Sequence, residues 1–419
     1  MTNATQLQAV ILCGGLGTRL RPLTDNLPKP MVPVNGKPFL HYLIEQLNEQ
    51  GVKKFLLLTG YLGQHISEYF GDGSKWNLNI TYSNGPTEWD TGRRIWEARE
   101  KIEHNFLLLY SDNFVQFSLP KLVKLNEKHK TPITLLLAPK KKGNISISEN
   151  GKIQAYDKNR NGEGFNYVEV GYMLIEKEYV LSSFPTYIGF PDFNFSLILH
   201  KLASEGKIAG NIVHDPYHSI SDIERLKKMR EYLSFKKIIL IDRDGIINVK
   251  APHGEYIFKE EDFKFIPDTY KAMTQLASEG FQFIIITNQA GIARKKFTEE
   301  DLHNLHEKMV NQFAQDGISI LKIYYSPHHW NENSFMRKPQ PGMFFEASKE
   351  FIFRMDKVLY IGDDPRDCEA AYNAGCSSIY IGSSTELVNL NPELQPIAVF
   401  DSMLQSIDLI RSFYNNSNS

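Results

Sequence analysis

The chain has 419 residues, 42% hydrophobic and 23% charged, and its 47 Lys+Arg against 49 Asp+Glu leave a formal net charge of −2. That length exceeds one ordinary core and predicts two or three domains. The near-zero charge gives no basis for a general nucleic-acid or membrane-surface role. Cys13, Cys368 and Cys376 form no CxxC pair, no run approaches the ~18 apolar residues of a spanning helix, and the N-terminus lacks a signal-peptide pattern. The expectation is a cytoplasmic protein with reduced thiols and small-molecule substrates, with neither nucleic acid nor membrane as partner.

In chain order, short apolar runs at residues 9–12, 55–59, 106–110 and 133–138 read as buried parallel strands, and residues 38–50 as an amphipathic helix. The aromatic run at 184–195 reads as core filling. Residues 222–234, DIERLKKMREYLS, read as a surface helix, and a domain boundary is expected near Ser234. Strand-like runs resume at 238–241, 283–287, 320–325, 358–361 and 378–381, with a helix over 299–314. This alternation is that of α/β domains. The expected division is 1–234, 235–412 and a polar, disordered tail at 413–419.

The first chemical motif is ILCGGLGTRLRPLTDNLPKPM, residues 11–31. Gly14, Gly15 and Gly17 follow a strand and let backbone N–H groups approach a phosphate closely, with Thr18 in the same turn. Arg19 can fork phosphate oxygens, and Lys29 is stiffened by the prolines of PKP. Asp112 ends the run FLLLYS, where ligands collect at strand ends.

The second motif is ILIDRDGIIN, residues 239–248. Asp242 ends a buried strand and is placed to attack phosphorus as a carboxylate nucleophile. Asp244 can protonate a leaving alkoxide and later deprotonate water. Gly245 permits the tight turn, and two carboxylates facing a phosphate require a Mg²⁺ ion. Thr287 and Asn288 follow the next strand, Lys338 lies in RKPQPGM, and Asp363 and Asp367 lie in IGDDPRD as candidates to complete a metal site with Asp242 and Asp244.

The string GGxGTRLxPLT…PKPM resembles the sugar-1-phosphate nucleotidyltransferases, above all the heptose- and mannose-1-phosphate guanylyltransferases, over roughly residues 7–230. The resemblance implies a nucleotide-diphospho-sugar transferase-like mixed sheet, and a sugar 1-phosphate attacking the α-phosphorus of a nucleoside triphosphate with Mg²⁺ on Asp112. Thr91 and Gly92 stand where that family contacts the base, although EWDTGRRIW departs from its LGTGGA. Asp157 and Lys158 stand at its sugar-contacting Glu-Lys, and Glu169 and Gly171 at its NAGIY segment. Its second metal aspartate falls on Ser219, so that Asp215 or Asp222 substitutes or a metal contact is lost.

The segments DRDGIIN, TNQAGIARKKFT, YSPHHW, RKPQPGM and IGDDPRD resemble the haloacid-dehalogenase phosphatases over about residues 236–410. The nearest branch is the D-glycero-D-manno-heptose 1,7-bisphosphate phosphatases, related to histidinol-phosphate phosphatases. This implies a second doubly wound domain with a parallel sheet, an aspartyl-phosphate intermediate, and Arg294 and Arg337 holding substrate. The branch carries a structural zinc on CPHH and CxC segments. Here Ser326, Ser334 and Met336 replace all three thiolates, so no zinc is expected and the loop is expected to be held by packing, with His328 as a hydrogen-bonding residue.

The two resemblances meet on one route. Heptose bisphosphate loses its 7-phosphate, and the heptose 1-phosphate is activated by a nucleoside triphosphate, GTP by resemblance. The open alternatives are a phosphatase with a non-catalytic sugar-nucleotide-binding half, and the same pair of activities on another sugar with CTP, UTP or dTTP. The oligomeric state stays open.

Overall fold

The structure, a computed structural model, describes residues 7–157, 164–184, 192–252 and 254–417. It divides into two compact units, Met1–Leu233 and Ser234–Ser419. Among the described residues, no helix is long and apolar enough to cross a membrane.

The first unit is built on a nine-stranded mixed sheet. Its strands are β1 (Gln8–Cys13), β2 (Lys54–Thr59), β3 (Asn79–Asn84), β4 (Asn105–Tyr110), β5 (Ile133–Pro139), β6 (Ile145–Ile147), β7 (Ile153–Tyr156), β8 (Tyr167–Glu176) and β9 (Ile208–Ile212). The order is β7-β6-β8-β4-β1-β2-β3, with β5 paired to β8 and β9. β1, β2, β3 and β4 run parallel to one another, and β8 lies antiparallel to β4. Every residue of β1 is buried, which is why it reads as a continuous apolar run rather than an alternating one. Phe184, Phe193 and Phe195 lie in the core of this unit, as the aromatic run suggests, while its residues 185–191 lie outside the described residues.

The second unit carries a six-stranded, wholly parallel sheet: β10 (Ile238–Ile241), β11 (Gln282–Asn288), β12 (Ser319–Ser326), β13 (Leu359–Gly362), β14 (Ser377–Ile381) and β15 (Ala398–Phe400). The order is β12-β11-β10-β13-β14-β15. Ile239 and Ile241 face one buried cluster and Ile238 and Leu240 the other, so helices cover both faces. Two α/β sheets with helices on their faces match the expected fold class.

The strands that the sequence reading passes over are of a different kind. β3 is an edge strand with alternating exposure, β6 and β7 have only 3 and 4 residues, and β8 is broken by a shift of register between Glu169 and Met173. None presents a continuous aliphatic run.

The expected disordered tail is corrected. The last helix runs Ile407–Ser417, through most of the segment assigned to it. Tyr414 is 1% exposed; its hydroxyl accepts from the Leu359 N–H at 3.2 Å and donates to the Ile238 carbonyl. NNSNS is polar, but the residues before it are not, and the aromatic ring anchors the turn. Tyr414→Phe is expected to cost about 1 kcal/mol, and truncation after residue 412 about 3 kcal/mol or more, in urea unfolding of the second unit. No loss on truncation would restore the disordered tail.

Candidate active sites

In a doubly wound sheet the crevice lies where neighbouring strands lead their connections to opposite sides. In the second unit the chain goes from β10 out to β11 and β12, then returns to β13 on the other side of β10. Asp242 directly follows β10, and Asp363 directly follows β13. A cavity of about 480 Å³ opens there, lined by Asp242, Asp244, Thr287, Asn288, Lys338 and Asp367 among others.

Lys338 is the hub of this cavity. Its buried Nζ is 2.9 Å from Asp242 Oδ1 and 2.8 Å from Asp367 Oδ1, and donates to the Tyr360 hydroxyl at 2.7 Å. Its main chain is clamped to Asn288: the Lys338 N–H donates to Asn288 Oδ1 at 3.1 Å, and Asn288 Nδ2 donates to the Lys338 carbonyl at 3.0 Å. Burial works against the ammonium, but Asp242 and Asp367 outweigh it and raise its pKa, so it stays charged. Burial pushes the Asp242 carboxyl up; Lys338 pulls it back, while Asp367 and Asp363 push it further. The carboxylates therefore need more positive charge than Lys338 provides.

Oxygens of Asp242, Asp363 and Asp367 lie within 4.8 Å of one another. Asp367 already accepts from Lys338, Tyr360 and the N–H groups of Asp363 and Asp364. Asp363 Oδ2 pairs with Lys250 at 2.8 Å, while its buried Oδ1 has no partner among the described residues. An unpartnered buried carboxylate oxygen beside two more carboxylates fits a hard cation, with Asp367 as the brace. Gly245 is required here: it has φ +92°, and a Cβ would stand 2.0 Å from Asp363 Oδ2.

The side chain of Asp244 is not part of this group. It accepts from Arg243 Nη2 at 2.9 Å, Asn248 Nδ2 at 2.9 Å and Gln289 Nε2 at 2.9 Å. Burial raises its pKa, but the Arg243 charge and these three donors win and hold it below the ordinary range. The expectation that its carboxylate ligates the metal is corrected on this geometry: the side chain is committed to the Arg243 fork. Arg243, wholly buried, also donates to the Ile257 carbonyl and meets His306 Nε2 at 2.9 Å. Burial, aided by Arg243, lowers His306 to about 3, so the ring is neutral and Nε2 accepts. Neither Arg243 nor His306 is flagged by motif spacing, because the contact joins residues 63 apart. Thr287 is 1% exposed, and its hydroxyl accepts from Gln289 Nε2 at 3.0 Å.

The outer wall of the cavity is basic. Arg294 donates to the Tyr256 hydroxyl at 3.1 Å and lies 5.7 Å and 5.5 Å from the ring centroids of Tyr256 and Trp330. Arg337 donates to the His328 carbonyl at 3.2 Å, and Lys250 and Arg366 also line the cavity. The loop expected to be held by packing is held by polar contacts. Glu332 accepts from His328 Nδ1 at 2.8 Å and from the His329 N–H at 2.7 Å.

The first unit repeats the crevice. From β1 the chain goes to β2 and β3, then returns to β4 on the other side. Gly14 and Gly15 follow β1, and Ser111 and Asp112 follow β4; Ser111 Oγ donates to the Leu12 carbonyl at 2.6 Å. A cavity of about 440 Å³ is lined by Gly14, Gly15, Lys29, Thr91, Asp112, Tyr156 and Glu169 among others. Lys29 Nζ pairs with Asp112 Oδ2 at 2.7 Å. Gly17 sits at φ +64°, with Thr24 Oγ1 donating to its carbonyl and Thr18 opening the short turn Thr18–Leu20. Arg19 is exposed and is not among the lining residues.

Two other expectations shift. Gly92 serves packing: its N–H donates to the Phe193 carbonyl at 3.0 Å, and a Cβ would lie 2.4 Å from the Phe193 ring. Asp157 lies beside the lining residue Tyr156, with its N–H on the Asn144 carbonyl. Lys158 lies outside the described residues. Gly171, at φ +82°, sits in the irregular stretch of β8, and a Cβ would press on Tyr110. Such a bulge re-aims a side chain, and Glu169 is the one that reaches the cavity. Burial pushes Glu169 up to about 7, against the Gly171 N–H and with the Asp112 charge; its Oε2 is buried without a partner among the described residues.

Arg94 went unread in the sequence. Its guanidinium is buried and donates to the carbonyls of Thr59 at 2.8 Å, Pro86 at 2.7 Å and Gly14 at 3.3 Å. It binds the end of β2 to the glycine turn, and Gly14 and Gly60 have no room for a Cβ because of it. The departure of EWDTGRR from LGTGGA was the available signal.

Compared with known families, the nucleotidyl transferase profile matches residues 8–172, and the polynucleotide kinase 3 phosphatase profile matches residues 237–374. The chain is 35% identical over 175 residues to the D-glycero-beta-D-manno-heptose-1,7-bisphosphate 7-phosphatase of Vibrio cholerae, spanning 40% of this chain and 92% of that relative. It is 35% identical over 145 residues to the D-glycero-alpha-D-manno-heptose-1,7-bisphosphate 7-phosphatase of Campylobacter jejuni, spanning 35% and 81%. It is 36% identical over 163 residues to the D-glycero-alpha-D-manno-heptose 1-phosphate guanylyltransferase of Aneurinibacillus thermoaerophilus, spanning 38% and 70%.

Glu169 sets a pH signature for the first unit. Its folded pKa lies above the ordinary 4.5, so ionisation in the folded state costs stability as pH rises from about 4.5 to about 7. Glu169→Gln is expected to stabilise the first unit by about 1–3 kcal/mol at pH 8 and to leave it unchanged at pH 4.5, read by thermal unfolding. Equal melting at both pH values would remove the buried-carboxyl reading. In the second unit, Gly245→Ala is expected to cut phosphate release at least about 100-fold, since the added methyl displaces Asp363.

Proposed function

Because this chain belongs to two families, the D-glycero-D-manno-heptose-1,7-bisphosphate 7-phosphatases and the D-glycero-alpha-D-manno-heptose 1-phosphate guanylyltransferases, we propose that it performs two consecutive reactions. The second unit removes the 7-phosphate of a heptose 1,7-bisphosphate. The first unit transfers GMP from GTP to the resulting heptose 1-phosphate and releases pyrophosphate. The observation that carries this reading is the pairing of two phosphate-handling crevices in one chain, each at its own sheet's switch point. The phosphatase relatives include both anomers, but the guanylyltransferase relative takes the alpha 1-phosphate. A product handed from one unit to the other must suit both, so the alpha bisphosphate is the substrate.

In the second unit, an Asp242 oxygen attacks the 7-phosphorus and the P–O bond to the sugar breaks. Lys338 and the N–H groups near Asp242 hold the transferring oxygens. Asp244 gives its proton to the leaving alkoxide, then takes one from the water that attacks the aspartyl phosphate, releasing orthophosphate and restoring Asp242. Carrying that proton requires Asp244 to leave its cradle of Arg243, Asn248 and Gln289. Mg²⁺ held by Asp242 and Asp363, braced by Asp367, would neutralise the phosphoryl oxygens. Arg294, Arg337 and Lys250 line the outer wall, where they suit the second phosphate of the bisphosphate.

In the first unit, an oxygen of the sugar phosphate attacks the α-phosphorus and the bond to the pyrophosphate breaks. Lys29 neutralises the triphosphate, the glycine turn brings Arg19 onto it, and Glu169 accepts hydrogen bonds from sugar hydroxyls. Asp112 with the triphosphate oxygens would hold one Mg²⁺, an ion that often takes one or two carboxylates plus substrate phosphates.

Single variants separate the activities. Asp242→Asn is expected to cut orthophosphate release from the bisphosphate at least about 1,000-fold while pyrophosphate release from GTP and heptose 1-phosphate persists. Lys29→Met is expected to do the converse. Unchanged pyrophosphate release in Lys29→Met would remove the first unit's assignment.

A further inference from the structure

Two arginines on the outer wall of the second unit's cavity are held by neutral oxygens. Arg294 donates to the Tyr256 hydroxyl at 3.1 Å and Arg337 to the His328 carbonyl at 3.2 Å, and among the described residues neither forms a salt bridge. Both line the cavity, as do Tyr256 and Trp330. A long cationic side chain with so few tethers samples many positions, and ordering it when an anion arrives costs affinity. One turn of the chain limits that freedom for both.

That turn is Trp330–Glu332, a single 3-10 turn that Asn333 ends at φ +49°. The Arg294 guanidinium stands over the Trp330 ring, 5.5 Å from its centroid, and over the Tyr256 ring at 5.7 Å. Arginine stacks on such faces, which restricts the guanidinium while leaving its N–H edges free to bind an anion. Two residues before Trp330, the His328 carbonyl takes Arg337. The Ala293 N–H donates to the Pro327 carbonyl at 3.3 Å, so the segment that carries Arg294 is stitched to the start of the same turn.

The turn is closed on itself. Glu332 uses both carboxylate oxygens, accepting from His328 Nδ1 at 2.8 Å and from the His329 N–H at 2.7 Å. The Asn331 N–H donates to His329 Nδ1 at 3.3 Å, and the His329 ring lies 3.8 Å from that of Trp330. Trp330 is nevertheless 51% exposed. Packing alone does not account for a large ring held half in solvent at the mouth of a cavity with a cation over it.

We propose that Trp330 is a positioning residue for the phosphatase reaction: its ring, fixed by the Glu332 brace, holds Arg294 in place for the second phosphate of the bisphosphate, and the same turn holds Arg337. This rests on the reading above that the outer wall takes that phosphate. The effect falls on KM, because a contact with the phosphate that does not react is made alike in the ground state and the transition state.

The test follows orthophosphate release by the full chain in Mg²⁺ without nucleotide, on heptose 1,7-bisphosphate and on heptose 7-phosphate, which lacks the second phosphate. Trp330→Ala is expected to lower the preference for the bisphosphate, read as the ratio of the two KM values, at least about five-fold, with a smaller change in kcat. Trp330→Phe keeps a ring and is expected to recover most of the ratio, and Glu332→Ala to lower it in the same direction. In a chain that already carries Arg294→Ala, Trp330→Ala is expected to add nothing, since the partner is gone. A ratio that Trp330→Ala leaves intact, an equal rise of both KM values, or an undiminished Trp330→Ala effect in the Arg294→Ala chain overturns the proposal alone. If the unsubstituted chain takes both substrates with the same KM, the second-phosphate reading falls and the proposal with it.

Discussion

A parallel strand delivers its last residue into a crevice only where the chain's connections part to opposite sides of the sheet, and both sites of this protein depend on that constraint. β1 and β10 are the central strands of their sheets, wholly buried, and each is followed within one or two residues by the groups that face phosphate. The aliphatic runs do more than fill the cores. They hold the strand ends rigidly enough that Gly14 meets Asp112 in the first unit, and Asp242 meets Asp363 in the second, from distant parts of the sequence.

The two crevices use one electrostatic device in different settings. Each sets a lysine against an aspartate: Lys29 with Asp112 at 2.7 Å, and Lys338 with Asp242 at 2.9 Å. In the second unit the pair is buried and a third acid, Asp367, shares the lysine, so the carboxylates remain short of positive charge and suit a cation. In the first unit the pair is partly exposed. Desolvated charge that lacks a full set of partners is costly in a folded chain, and it is retained where a ligand completes it.

Much of this was legible in the sequence because buried parallel strands read as apolar runs and catalytic groups follow them directly. Asp242 and Asp363 could be placed on that ground alone, and Lys338 by its RKPQPGM segment. Residues whose role depends on distant backbone could not. Arg94 gathers carbonyls from three separate segments, and the Arg243 guanidinium is fixed by His306 and the Ile257 carbonyl only after folding. Asp244 stood in the right motif, yet its side chain is drawn to the neighbouring guanidinium, which spacing does not reveal. The bulge that aims Glu169 and the aromatic anchor Tyr414 fail the same way, since period and polarity do not report an irregular register or one buried ring.

The most direct measurement is a ³¹P NMR time course of the whole chain with the alpha heptose 1,7-bisphosphate, GTP and Mg²⁺. The account predicts that orthophosphate appears first, and that pyrophosphate and a sugar-nucleotide diphosphate signal follow after a lag as heptose 1-phosphate accumulates. Pyrophosphate and a nucleotide-linked sugar that still carries its 7-phosphate, formed before any orthophosphate, would contradict the order of the two reactions. Orthophosphate with no later pyrophosphate would contradict the proposal that the first unit is a transferase for this sugar and GTP.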